Sequence, residues 1–259
     1  MNILMIDIGG TNVKLMASGH EGRRKVPSGP NFKPAAMVRE VIQATADWEY
    51  EAISLGFPGL VADGRPAAEP FNLGGGWLKF DYEKAFKHPV RIINDAAMQA
   101  LASYRHGRML FLGFGTGIGS AMIVDDVIIP LELGNMRFSR RAWFKDCLGN
   151  AGRKRYGRAR WRKYALEAID ILRDAFRPEE IVIGGGNGKD IDPVPKGCRL
   201  RDNQAAFIGA TRMWPGADMI AEPYGTSWRI RKKPSSEHPA AEPAELSSPK
   251  KKDRSRRKR

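Results

Sequence analysis

Asp7-Ile8-Gly9-Gly10-Thr11-Asn12-Val13-Lys14 follows the apolar run Ile3-Leu4-Met5-Ile6. The run reads as a buried strand. The glycine pair then forces a tight turn whose backbone N–H groups can approach a phosphate closely. Thr11 and Asn12 add side-chain hydrogen-bond donors. Asp7 ends the strand, where a carboxylate can hold Mg²⁺ directly or through water. Lys14 falls on the returning strand. Taken alone, the stretch also reads as an ordinary hairpin with Gly-Gly at its tip, because a glycine-rich turn is a weak signal.

Two further stretches repeat the pattern. Phe111-Leu112-Gly113-Phe114-Gly115-Thr116-Gly117-Ile118-Gly119 is strand, glycine turn with a threonine, then strand again. No Gly-Lys-Ser/Thr follows, so it is not a Walker loop. The next segment reads as strand, so it is not a dinucleotide fingerprint either. Ile181-Val182-Ile183-Gly184-Gly185-Gly186-Asn187-Gly188 ends another buried strand. Three glycine turns on three strands argue against chance. Two would hold phosphates from opposite sides, and the third could seat a nucleotide base or a donor chain.

In this order the three stretches resemble the first phosphate, second phosphate and adenosine motifs of the sugar kinase/actin superfamily. Within it, residues 1–214 resemble the ROK family, most of all its polyphosphate glucokinase branch. The resemblance implies an α/β, two-domain actin-like ATPase (ribonuclease H-like) fold with a cleft between the domains. It implies phosphoryl transfer to a hexose, glucose first, with Mg²⁺ and with ATP or inorganic polyphosphate as donor. Many ROK proteins carry a Cys-rich zinc motif. Here the cysteines are Cys147 and Cys198 alone, too few for a zinc cluster and in keeping with a reducing cytosol.

The net charge of +14 is unevenly placed. Residues 229–259 carry 12 Lys/Arg against 4 Asp/Glu, and residues 137–163 carry 11 against 1, which leaves the remainder at −4. Two basic blocks on an acidic body point to two local anion sites rather than to general nucleic-acid affinity. No apolar run approaches the ~18 residues that cross a bilayer, and the start of the chain does not read as a signal peptide. A cytoplasmic protein without membrane contact is expected, and a homodimer is left open.

Taken in order, residues 34–48 show helical spacing of apolar groups. Ala52-Ile53-Ser54-Leu55 is a strand, closed by a turn through Gly56-Phe57-Pro58-Gly59. In the ROK pattern the similar turn lines the sugar site, which assigns Gly59 there; a plain strand-ending turn is the simpler reading. In the loop Asn72-Leu73-Gly74-Gly75-Gly76-Trp77, Asn72 takes a sugar contact by resemblance and Trp77 reads as packing. Val90-Arg91-Ile92-Ile93 is a strand, and Asn94-Asp95 leads into a helix over residues 96–106. Capping alone would explain both residues. The family, however, places its catalytic base in a similar Asn-Asp-Ala, so Asp95 is expected to accept the sugar hydroxyl's proton, with Asn94 and Asp95 both touching the sugar.

After a hairpin at Asp125-Asp126 comes Glu132-Leu133-Gly134-Asn135. The family usually reads Glu-Leu-Gly-His here, both ends gripping sugar. Glu132 fits; Asn135 can hydrogen-bond a hydroxyl but cannot carry charge. The basic block then enters a helix whose Trp161, Ala165, Ile169, Leu172 and Phe176 read as core. Asp202-Asn203-Gln204 opens a last helix over residues 205–213.

The expected organisation is an N-terminal domain over residues 1–108, a C-terminal domain over 109–228, and a disordered basic tail over 229–259 able to bind nucleic acid weakly by charge. Transferred phosphate falls to Gly9, Gly10, Thr11, Asn12 and Lys14 on one side and Gly115, Thr116 and Gly117 on the other. The nucleotide or polyanionic donor falls to Gly184, Gly185, Gly186, Arg153, Lys154 and Arg155, and the metal to Asp7. Two rival readings belong to other classes: a ROK repressor, which calls for an N-terminal helix-turn-helix that the opening strand does not supply, and an inactive sugar or nucleic-acid binder.

Overall fold

The computed structural model describes residues 1–201 and 206–233. The first half runs β1 (Ile3–Ile8), β2 (Asn12–Ala17), β3 (Arg24–Pro27), α1 (Pro34–Ala44), β4 (Ala52–Phe57), the short pair β5 (Val61–Ala62) and β6 (Arg65–Pro66), α2 (Tyr82–Phe86), β7 (Val90–Asn94) and α3 (Asp95–Ser103). The second half runs β8 (Met109–Phe114), β9 (Ile118–Val124), β10 (Val127–Leu131), β11 (Arg137–Ser139), β12 (Ala142–Trp143), α4 (Phe144–Leu148), α5 (Asn150–Phe176), β13 (Glu180–Gly184), β14 (Cys198–Leu200), α6 (Ala206–Thr211), β15 (Met219–Tyr224) and β16 (Ser227–Lys232).

The first sheet has the order β3-β2-β1-β4-β7 and the second β14-β13-β8-β9-β10-β16-β15. In each, three antiparallel strands joined by hairpins lead to two parallel ones: β3-β2-β1 then β4 and β7, and β10-β9-β8 then β13 and β14. The two halves thus repeat one topology, although no repeat is visible in the sequence. The repeat puts the first two glycine turns at matching β-hairpin tips.

The second sheet is covered on both faces, and its strands alternate accordingly. Met109, Phe111, Ala121, Ile123 and Val182 face a core shared with the first sheet. Leu110, Leu112, Met122, Ile181 and Ile183 face the other way, onto α5. α5 buries Trp161, Ala165, Ala168, Ile169 and Leu172, with Phe176 only half-buried. It is interrupted at Gly157, whose φ of 74° is not helical. Helices α3 and α6 pack on each other, and α6 also reaches the first sheet. Ser54 on β4, wholly buried, donates its hydroxyl to the Ala210 carbonyl at 2.8 Å and accepts from Trp214 Nε1 at 2.8 Å.

Several boundaries differ from expectation. α1 stops at Ala44 because Thr45 turns its hydroxyl back onto the Val41 carbonyl. α3 stops at Ser103 because Tyr104 is extended, its hydroxyl bonded to Asp126 at 2.8 Å. The largest correction concerns the C-terminus. Residues 229–232, expected to be disordered, complete β16, which pairs with β10 and β15 and buries Trp228 and Ile230. The folded body therefore passes the expected boundary at 228. Residues 202–204, expected to open the last helix, and residues 234–259 lie outside the described residues.

Candidate active site

The ends of β1, β4, β7, β8, β10 and β13 converge on one cleft of about 310 Å³. Asp7, at the end of β1, is 7% exposed and lies opposite Lys14 in the hairpin register; Lys14 Nζ reaches its Oδ2 at 2.9 Å. Gly9 donates its N–H to the Asn12 carbonyl at 3.1 Å, and a Cβ there would approach that same oxygen to 2.8 Å, so the turn needs a glycine. Ser28 pins the turn from outside through Gly9 and Thr11 carbonyls. Gly9, Gly10 and Lys14 line the cleft, whereas Thr11 is exposed and Asn12 half-buried on the hairpin beside it.

Asn94 caps α3. Its Oδ1 accepts from Ala97 N at 3.0 Å, and its Nδ2 donates to the Gly59 carbonyl at 3.1 Å. The cap and the Pro58–Gly59 turn are thereby tied together, with Asn94, Gly59 and Asn72 on the same wall. Trp77 is fully buried against Phe57, the packing role expected of it.

Because Asn94 does the capping, Asp95 is left facing the cleft. Its Oδ1 accepts one bond, from Ala96 N at 2.7 Å. Loss of hydration pushes its carboxyl up to about 7. The negative charges of Asp7 and Glu132 add to the rise, and the Ala96 bond and Lys14 oppose it. A carboxylate poised near neutrality suits a general base.

The second turn, Gly115-Thr116-Gly117, closes on itself through Gly115 N to the Gly117 carbonyl at 3.0 Å and lines the opposite wall. The start of α5 holds it from behind, Asn150 N donating to the Gly115 carbonyl at 2.9 Å. Asn187, in the third turn, donates to Asn150 Oδ1 at 2.7 Å, so the second and third turns are clasped through Asn150. Gly185 and Gly186 line the cleft; Gly184 ends β13. Gly185 has φ +78°, and a Cβ on it would collide with the Phe114 backbone. Gly185→Ala should therefore cost about 2 kcal/mol through backbone strain, a fall in Tm of roughly 5 °C. Thermal melting of the purified variant beside the wild type reads it.

Glu132 reaches the cleft rim from the end of β10. Lost hydration raises its carboxyl and the Lys145 ammonium pulls it back. Asn135 is exposed and does not line the cleft; its Oδ1 accepts from Lys145 Nζ at 3.1 Å. Arg153, Lys154 and Arg155 also lie off the cleft wall. Arg153 and Arg158 both pair with Asp190, at 2.6 and 3.1 Å, and Asp190 is 5% exposed. Arg155 turns to a separate cavity beside Tyr156 and Tyr164.

Sequence reasoning missed Gln99, Asn150 and Asn187. Gln99 lies one helical turn after Asp95, lines the cleft and accepts from Arg201 Nη1 at 2.9 Å. The i, i+4 spacing from Asp95 was the available signal. Among the described residues no group of three or more His, Cys, Asp or Glu gathers to hold a metal. Mg²⁺ bound together with phosphate needs only one or two carboxylates. Asp7, a nearly buried carboxylate between the cleft and Lys14, fits that requirement. No helix among the described residues is long and apolar enough to cross a membrane.

Comparison with known proteins follows the same lines. The sequence model of the ROK family matches residues 3–134. Polyphosphate glucokinase of Mycobacterium tuberculosis is 25% identical over 228 residues, spanning 79% of this chain and 84% of that one. The structure of inorganic polyphosphate/ATP-glucomannokinase from Arthrobacter sp. strain KM is similar with a TM-score of 0.67 and 26% identity, covering 81% of this chain and 96% of that one. A ROK family glucokinase from Streptomyces griseus, solved with glucose and AMPPNP, has a TM-score of 0.67 at 17% identity, covering 82% and 99%. At that identity the likeness is one of fold.

Proposed function

The chain belongs to the ROK family and has the actin-like ATPase fold of its sugar kinases, and from that premise we propose that it is a sugar kinase acting on a hexose, glucose first, with polyphosphate or ATP as donor. The observation that carries this reading is Asp95, a carboxylate with a raised pKa at the head of α3, facing the cleft that both glycine turns line.

In this reading Asp95 receives the proton from the attacking hydroxyl as the oxygen bonds phosphorus and the shortened donor leaves with the electron pair. Glu132, Asn72 and the Asn94–Gly59 wall orient the sugar. Backbone N–H groups of the two turns, with Lys14, hold the transferred phosphoryl group and stabilise its charge. Mg²⁺ held by Asp7 would neutralise donor phosphate oxygens when bound. The first sheet, with α6 packed on it, and the second sheet would form the two lobes that shut on the substrate and exclude water.

Polyphosphate is favoured by the activities for which the relatives at 25% and 26% identity are named and by the charge of residues 137–163. Arg153 holds Asp190, which leaves Lys154 and Arg155 as the residues to test. Glucose phosphorylation should be measured with each donor over rising salt. Polyphosphate-driven turnover should fall steeply, because each phosphate neutralised releases counterions. Reversing Lys154 and Arg155 to Glu should reduce it about tenfold or more, with a much smaller effect on ATP-driven turnover. ATP turnover without any from polyphosphate at low salt would remove polyphosphate as donor; no hexose phosphorylation with either donor would overturn the kinase reading.

A further inference from the structure

Lys145 has no part in the scheme above, yet it stands beside the acceptor residues. It is exposed on α4, and its Nζ donates to Asn135 Oδ1 at 3.1 Å. The same Nζ is 6.0 Å from the ring centroids of both Phe71 and Trp143. Phe71 immediately precedes Asn72 in the first half of the chain and is 94% exposed. Lys145 therefore stands outside the cleft wall, between the segment that carries Asn135 and the loop that carries Asn72, and its charge acts on Glu132.

The segment leading to it is basic. Residues 137–145 contain Arg137, Arg140, Arg141 and Lys145, with Asp146 next in the chain, and Arg137 lies 3.8 Å over the Trp143 ring. An ammonium has three donors and no acceptor. With one lone pair of Oδ1 given to Lys145, the Asn135 amide still presents its NH₂ end to a ligand, so this corner offers donors beside a positive charge. The hydroxyls of a neutral hexose are served by a mixed set such as Asn72 and Glu132 and gain little from concentrated charge. An anionic group gains much more, since charge-assisted hydrogen bonds are about twice as strong as neutral ones. The exposed Phe71 ring adds an apolar face for sugar C–H groups.

We propose that Lys145, seated by Asn135 and flanked by Phe71, forms an outer acceptor subsite that binds an anionic substituent on the hexose, at a carbon other than the one phosphorylated. The proposal rests on the sugar kinase reading of the cleft. It also divides the basic block: Lys145 serves the acceptor, whereas Arg153 and Arg158 lie toward the third turn through Asp190.

The test is calorimetric titration of the whole protein with glucose, glucose 1-phosphate, glucosamine N-sulfate and glucose 3-sulfate, for wild type, Lys145→Met and Lys145→Arg. At least one charged sugar should bind about tenfold more tightly than glucose. That ratio should fall to about one in Lys145→Met and be largely kept in Lys145→Arg. Lys145 is exposed, so both variants should melt with the wild type, which is checked alongside. The proposal is overturned if no charged sugar is preferred, if the preference survives Lys145→Met, or if inorganic phosphate alone binds as tightly as the charged sugars. Binding is read without turnover. A protein that phosphorylates no sugar but shows the Lys145-dependent ratio would overturn the kinase reading and leave the subsite standing.

Discussion

Asp95→Asn should lower kcat by about 10²–10⁴-fold while the Kd for the sugar changes little. The amide keeps the shape and can still accept from Ala96 N, but it cannot take a proton. In the wild type, kcat/KM should rise with pH through about 7, because Asp95 acts as a base only when ionised and its carboxyl is held up to about 7. The variant's residual activity should lack that limb. Stability should move the opposite way. The folded carboxyl binds its proton more tightly than an unfolded one does. The stability that this proton contributes is fully present below about pH 4 and is lost as pH rises to about 7. Asp95→Asn removes the buried charge, so the variant should melt a few degrees above wild type at pH 8 and lose that advantage toward pH 4. Near-normal kcat in the variant would remove Asp95 from the chemistry; a melting difference that ignores pH would remove the raised pKa.

Ending the chain at Trp228 rather than at Lys233 should lower Tm by roughly 10 °C, a loss of about 4 kcal/mol. The five residues at issue supply the rungs from Arg229 to Lys232 with β15, the buried Ile230, and the Lys232 to Asp126 ion pair at 2.7 Å. Without them β10 loses part of its pairing and β15 loses most of its partner. Differential scanning calorimetry on the two chains decides it, and equal melting would mean that β16 contributes nothing to the body.

The stretch from Trp228 to Lys232 shows where sequence reading fails. Trp-Arg-Ile-Arg-Lys alternates apolar and charged groups, which is the signature of a half-buried strand. It stands next to a long polar, charged stretch, and composition read over the whole stretch hid the period of two. In the folded chain the outward arginines have partners that keep them soluble and ordered: Arg229 lies over Tyr224 at 4.4 Å, and Arg231 pairs with Glu222 at 2.8 Å. The glycine turns were legible because a turn between strands dictates its own residues locally. The strand-to-helix junction at Asn94 and Asp95 was legible for the same reason, whereas the part given to Asp95 came from the family resemblance. The partners of the basic block were not. Arg153 meets Asp190 across 37 residues, and nothing local distinguishes an arginine that holds a buried acid from one that waits for a ligand. Asn150 and Asn187, likewise 37 apart, join two turns that the sequence could only describe separately.

The bonds that Ser54 makes bear on how the chain is born. They come from residues 156 and 160 positions later. During synthesis the first sheet emerges, pairs its strands and then waits, its inner face and a polar hydroxyl uncovered, until Ala210 and Trp214 arrive. About 100 residues separate α3 from that point, which at 5–20 residues per second is of the order of ten seconds of exposure. The first 108 residues should therefore fail to fold on their own. Expressed alone, they should collect in the insoluble fraction, and supplying residues 109–233 as a second chain should draw them into solution.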